Sequence, residues 1–231
     1  MILMPLRPRS TIGLGALALG ACFPAVTHGP RIERGLAAGV TASVTAGPEH
    51  TEGDEGGIRL RQGMVGAYGG YGWSAHGPAQ PGAYVGVAIP VFFPLTQVDL
   101  FVEAPRAWLP AHGAAGVGTV LDMQGFSAYG QAGRITDAGN GWFLTGGYGR
   151  RSSWAHGETA APAWFGGAAV QLASRWARTR LFVQGATGRD PGRCSAALDT
   201  GGCAEGRHTG AVAAGVSLGW QQRPRSKVTG R

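Results

Sequence analysis

Between Gly35 and Ala46 the chain alternates without a break. Leu36, Ala38, Val40, Ala42 and Val44 share one parity, and Ala37, Gly39, Thr41, Ser43 and Thr45 share the other. A helix would smear that pattern around its circumference, whereas a strand places the two sets on opposite faces. The run therefore predicts a strand with one apolar face and one small, polar face. Similar segments follow at Ile58–Trp73, Ala83–Phe93, Gln97–Ala104, Ala115–Asp122, Phe126–Arg134, Gly141–Arg150, Trp164–Ala173, Thr179–Ala186 and Thr209–Trp220. Turn chemistry separates them: Pro81-Gly82, Pro94, Asp137-Ala138-Gly139-Asn140-Gly141 and Asp190-Pro191-Gly192. The predicted fold class is all-β, an antiparallel up-and-down meander β-barrel of about 8–10 strands, with a soluble β-sandwich or barrel as the alternative.

Composition narrows the choice. Charged residues make up 14% of the 231-residue chain, against roughly 25% in soluble domains. Glycine contributes 42 residues. A solvated helical protein is excluded, and so is a disordered chain, because aromatic and branched residues recur throughout. The net charge is +7, falling to +5 without Arg7 and Arg9. Of the 20 basic residues all but Lys227 are Arg, and they are scattered as singles and pairs. A nucleic-acid binder gathers its cations on one face, so that class is excluded.

The strand faces distinguish a membrane barrel from a soluble one. In Gln97–Ala104, Val98, Leu100 and Val102 oppose Gln97, Asp99, Phe101 and Glu103. In Thr179–Ala186, Leu181 and Val183 oppose Arg180, Phe182 and Gln184. Mid-strand charges need partners or water. A polar lumen in which Asp99 and Glu103 face cations such as Arg180 supplies them, whereas a sandwich would leave the three on a solvated face. On the lumen reading, an arginine replacing lipid-facing Leu100 is expected to cost more than one replacing neighbouring Asp99. Aromatic residues gather near strand ends at Tyr71, Trp73, Phe92, Phe93, Trp142, Phe143, Trp164, Phe165 and Trp220, where interfacial girdles lie. An even strand count returns both termini to one side. The longest connections, Gly47–Gly57, Arg151–Pro162 and Gly188–His208, then share the other side.

At the start, Arg7 and Arg9 precede an apolar stretch, Ile12–Ala21, too short to span a bilayer but of secretory length. Leu19-Gly20-Ala21-Cys22 resembles the bacterial lipobox, which implies that Cys22 is diacylated and becomes the mature N-terminus. Near the end, Gly215, Leu218 and Trp220 resemble the C-terminal insertion signal of outer-membrane barrels, although residues 221–231, including Arg223, Arg225, Lys227 and Arg231, follow it. From Gly35 to Trp220 the chain resembles bacterial outer-membrane β-barrel proteins, with a lipoprotein signal in front. The expected organisation is a signal peptide over 1–21, a lipidated N-terminus and tether over 22–34, a barrel over 35–220 and a basic tail over 221–231. With Cys22 lipidated, Cys194 and Cys203 remain as one pair. In an oxidising compartment they are expected to form a disulfide, since a structural zinc site wants four ligands.

The residues that invite chemistry are few. The six histidines, at 28, 50, 76, 112, 156 and 208, fall in predicted linkers or loops and read as solvated. Ser152, Ser153, His156 and Glu158 are a thin basis for a hydrolase, because nothing specifies an oxyanion hole. Glu49, Glu52, Asp54 and Glu55 lack the alternating spacing of a calcium loop. The run Gly66–Gly72 is no phosphate cradle without a helix after it, and Tyr68 and Tyr71 fall on opposite faces. No metal or cofactor is implied, and the chain reads as no enzyme.

The function expected is therefore that of a lipid-anchored outer-membrane β-barrel protein with a structural, interaction or minor transport role. Its partners would be outer-membrane lipid and the barrel-insertion machinery. A tethered soluble periplasmic β-domain binding a partner or apolar ligand, and an outer-membrane lipid hydrolase, are the alternatives.

Overall fold

The computed structural model describes residues 27–48, 58–74, 77–90, 96–122, 125–153, 158–174, 176–189 and 208–221. Ten strands follow in order: β1 (Gly35–Pro48), β2 (Ile58–Trp73), β3 (Gly82–Pro90), β4 (Gln97–Glu103), β5 (Gly113–Asp122), β6 (Gly125–Ile135), β7 (Gly141–Ser153), β8 (Glu158–Ala173), β9 (Arg178–Arg189) and β10 (His208–Gln221). Each pairs antiparallel with its neighbours in sequence. β1 closes the barrel onto β10, from Ala37 opposite Gln221 to Ala46 opposite Val212. Closure leaves no strand edge unpaired.

The predicted meander is the observed one, with differences at the ends of elements. The stretch read as a long connection, Arg151–Pro162, is mostly a continuation of the β7–β8 hairpin: Arg150 faces Pro162 and Ser153 faces Glu158, with a register shift between Arg151 and Ser153. Pro162 lies just beyond the β8–β9 ladder, which begins at Ala163 opposite Gly188, so on that side no ladder partner needs its missing N–H. At the opposite end of the barrel lie the β2–β3, β4–β5, β6–β7 and β8–β9 connections. In the β6–β7 turn Gly139 takes φ 89°, and the Thr136 hydroxyl receives the Asn140 N–H at 3.2 Å. This end also carries both chain termini of the barrel, and it is called the terminus end below; the β1–β2 and β9–β10 connections mark the loop end.

The burial pattern is inside out. On β1, Leu36, Val40 and Val44 are exposed, and on β9 Leu181 and Val183 are each 53% exposed, whereas inward Arg180, Phe182 and Gln184 between and beside them are buried. The same parity holds for Val85, Val87 and Ile89 on β3, Leu100 and Val102 on β4, and Val170 and Leu172 on β8. The apolar core instead fills the lumen, where Tyr84, Phe101, Val120, Tyr129 and Phe165 form one cluster and Ile135, Phe143, Ala169 and Phe182 anchor another.

The glycine excess has a packing reason. A narrow barrel has room for inward rings only where the neighbouring inward positions lack a side chain. A Cβ on Gly39 would lie 2.6 Å from the Tyr68 ring, one on Gly118 2.6 Å from Tyr129, and one on Gly215 2.5 Å from Phe182. Gly39 and Tyr68 are direct cross-strand partners, as are Gly118 and Tyr129, and Gly215 and Phe182. Each ring covers the glycine opposite it, an arrangement that fixes register while filling space.

Candidate functional site

The terminus end of the lumen is occupied by the chain's own N-terminal segment. Gly35 at the start of β1 has φ 120°, a backbone conformation glycine adopts without penalty and other residues avoid. That reversal sends residues 27–34 back into the barrel. Gly72 on β2 makes space for them, since a Cβ there would meet the Glu33 carbonyl oxygen at 2.1 Å. Thr27, His28 and Ile32 are buried, and Pro30 is among the most fully enclosed residues.

The wall holds this plug through side chains rather than through a β-ladder. Near the rim, Glu103 Oε2 accepts the Ile32 backbone N–H at 2.8 Å, while Arg106 Nε donates to Glu103 Oε1 at 3.4 Å. Arg31 donates to the Ile135 carbonyl at 2.9 Å and to Asp137 at 3.1 Å. Arg178 pairs with Glu33. Deeper in, Thr27 reaches two wall residues at once: its hydroxyl donates to Asp99 Oδ2 at 3.2 Å, and its carbonyl accepts Arg180 Nη1 at 2.7 Å.

His28 sits at the centre. Its ring lies 4.5 Å from Tyr84 and 4.5 Å from Phe101, centroid to centroid. Nε2 is 3.1 Å from Asp99 Oδ2 and 2.9 Å from the Tyr129 hydroxyl, and that hydroxyl donates to Asp99 Oδ1 at 2.6 Å. Nδ1 lies 2.8 Å from the Gly29 carbonyl oxygen. A carbonyl only accepts, and a phenol whose proton goes to a carboxylate accepts from its other side. Both imidazole nitrogens thus lie within hydrogen-bond distance of an oxygen acceptor, the Gly29 carbonyl on one side and the Asp99 carboxylate on the other.

Asp99, Glu103 and Arg180 all point into the lumen and are buried. Asp99 and Glu103 share the inward row of β4, but neither takes Arg180 as its partner. Arg180 Nε donates to Gln171 Oε1 at 2.8 Å, and its link to Asp99 runs through Thr27. The sequence pattern identified the face on which these charges lie and missed what they hold. It also placed His28 in a solvated linker; the structure corrects this, because the imidazole is enclosed by Tyr84, Phe101, Tyr129 and Asp99. Likewise the described part of the segment read as a tether, residues 27–34, lies within the barrel. Phe101 on the predicted polar face of β4 was the available hint that the lumen is packed.

Cys22, Cys194 and Cys203 lie outside the described residues, as do Glu49, Glu52, Asp54, Glu55, His50, His76 and His156. Ser152 and Ser153 end β7, with Ser153 opposite Glu158 in the ladder. His112 is an exposed turn residue at φ 61°. His208 begins β10. Tyr68 faces the lumen and is buried, while Tyr71 stacks edge-on against Trp73 at 4.7 Å.

No protein-family model matches the chain, and no curated protein matches it. Among solved structures it is similar to the translocator domain of the autotransporter NalP from Neisseria meningitidis, at 11% identity over 90% of this chain and 93% of that one, with a TM-score of 0.29. An overlay that loose carries no argument about function.

Proposed function

We propose that the protein is a small bacterial outer-membrane β-barrel with a closed lumen, serving a structural or interaction role rather than acting as a diffusion pore or an enzyme. One observation carries this reading: large apolar side chains stand exposed on the outward parity around the barrel, while Asp99, Glu103, Gln131, Gln171, Arg178, Arg180 and Gln184 are buried within it. In water, exposing a continuous apolar surface of this size would drive association; in lipid it is the required surface. The belt has margins. On β8 it runs from Leu172 to Trp164, eight residue steps apart, or roughly 26 Å along a strand at about 3.3 Å per residue. Trp164 stacks edge-on against its cross-strand partner Tyr148 at 4.9 Å, and exposed Trp73, Trp142, Trp176 and Trp220 ring the terminus end. Amphipathic rings favour the two membrane–water interfaces.

In this reading the terminus end is periplasmic and the loop end external. Cys22 precedes Thr27 by five residues, roughly 17 Å when extended. Asp99, which holds Thr27, is four residues from Glu103, or roughly 13 Å along β4. A lipid on Cys22 therefore reaches the terminus-end rim with little slack, on the periplasmic side where lipoprotein acyl chains insert. The lipid acts as a second anchor, and Cys194 and Cys203 close a disulfide in the external β9–β10 connection.

The test is to express residues 23–231 behind a cleavable, non-lipidating signal. Partition into detergent with β circular dichroism and heat-modifiable gel mobility supports an integral barrel. A monodisperse β-domain that stays folded in detergent-free buffer overturns it and makes the lipid the whole of the membrane attachment.

A further inference from the structure

The plug is attached to the barrel by one covalent link, at Arg34–Gly35, yet its contacts resemble those of a bound ligand. The wall contributes no strand to it. Instead, wall side chains from β4, β6 and β9 read its backbone and side chains: Glu103 takes the Ile32 N–H, Arg180 takes the Thr27 carbonyl, Gln131 Nε2 approaches the His28 carbonyl at 3.5 Å, and Arg178 takes the Glu33 carboxylate. Side-chain recognition of peptide backbone, with one deep pocket for a single residue, is how a protein holds an extended peptide.

The deep pocket has a defined chemistry. The Tyr84 and Phe101 rings lie 4.5 Å from the His28 ring, tilted at 46° and 59° to it, Phe101 and Tyr129 are stacked at 5.8 Å, and Asp99 closes the floor with Tyr129 donating to it. Aromatic faces around a carboxylate select a cation over a neutral ring of similar size, because both the quadrupoles and the charge favour it. His28 is the present occupant. It belongs to the plug, whereas the four groups around it all belong to the wall.

We propose that the terminus-end lumen is a peptide-binding site, filled in cis by residues 27–34, and that Asp99, Tyr84, Phe101 and Tyr129 form its subsite for a cationic side chain. The site faces the terminus end, so an extended segment bearing His or Arg competes with the plug from that side. Exchange of the plug leaves the barrel wall intact, because the ladder closes through β1 and β10 and not through the plug.

The experiment uses the full chain with a specific protease site inserted between Arg34 and Gly35, folded first and cut afterwards. A fluorescent synthetic peptide with the sequence of residues 27–34 is then added, with binding read by anisotropy and barrel integrity by heat-modifiable mobility. Expected are release of the cut segment, saturable uptake of the labelled peptide, retained binding by a His28→Arg peptide, and binding about tenfold or more weaker for a His28→Phe peptide, as when a buried carboxylate loses its hydrogen-bond partner. The same loss is expected for the native peptide on an Asp99→Asn barrel; should that variant not fold, the His28→Phe peptide tests the subsite on the unaltered wall. Retention of the cut segment with no uptake, unfolding of the barrel on release, equal binding of a scrambled peptide, or equal binding of the His28→Phe peptide each overturns the proposal. The readout is independent of membrane insertion, since it works in detergent or in buffer.

Discussion

Asp99 and Leu100 are consecutive on β4 and occupy opposite environments. Leu100 is 38% exposed on the outer wall, while Asp99 is 6% exposed inside it. The outer residue has neighbours but no specific partner; the inner one accepts from Thr27, His28 and Tyr129. The outer wall is thus defined by a property, apolarity, that many side chains share. The inner wall is defined by particular pairings, and those tolerate replacement far less.

This contrast reverses the order expected from face parity alone. Asp99→Ala leaves three buried groups, on Thr27, His28 and Tyr129, without their partner, and it should cost about 3 kcal/mol or more, since each buried donor left unsatisfied costs about 1 to 3 kcal/mol. The check is the denaturant midpoint of the refolded barrel. Arginine at the same position would add a cation beside His28 and Arg180, so it should be at least as damaging. Leu100→Arg should cost about 2 to 4 kcal/mol when unfolding is measured from lipid bilayers, provided the position is near the midplane. On a water-exposed surface the same change should stay within about 0.5 kcal/mol, so a near-zero result from vesicles would break the assignment of the outer face.

The glycines sharpen the comparison at smaller scale. Gly39→Ala drives a methyl group into the Tyr68 ring and the Leu218 carbonyl, and it should cost about 1 to 3 kcal/mol by overpacking. Gly130→Ala points outward, with its nearest neighbour at 3.7 Å. It should be neutral or stabilise by up to about 1 kcal/mol through reduced chain entropy. Paired thermal or denaturant melts of the two variants read the difference directly, and equal losses would mean that ring packing against glycine is not what holds the lumen.

The legible part of the molecule follows from chain-local physics. Alternation along Gly35–Ala46 and the Gln97–Ala104 parity are properties of a strand whatever its neighbours, so the meander, its ten strands and the inward direction of Asp99, Glu103 and Arg180 were all readable. Strand ends were less so: the β7–β8 hairpin runs on through Pro162, where β8 has passed the end of its ladder with β9, and no property of Pro162 announces that. The site was readable only as isolated charges. Thr27–Arg34 has no periodicity, and its eight residues give no local reason to leave solvent.

The period-two pattern was enough to give a β-barrel with an apolar outside and its mid-strand charges turned inward, because the alternation of side chains is set by covalent geometry. That residues 27–34 turn back to fill its terminus end emerged only from the assembled barrel. The plug depends on a backbone reversal at Gly35, on space left at Gly72, and on acceptors from β4 meeting a segment roughly seventy residues earlier in the chain. Those coincidences exist only once the barrel has closed and set its strands at a fixed spacing.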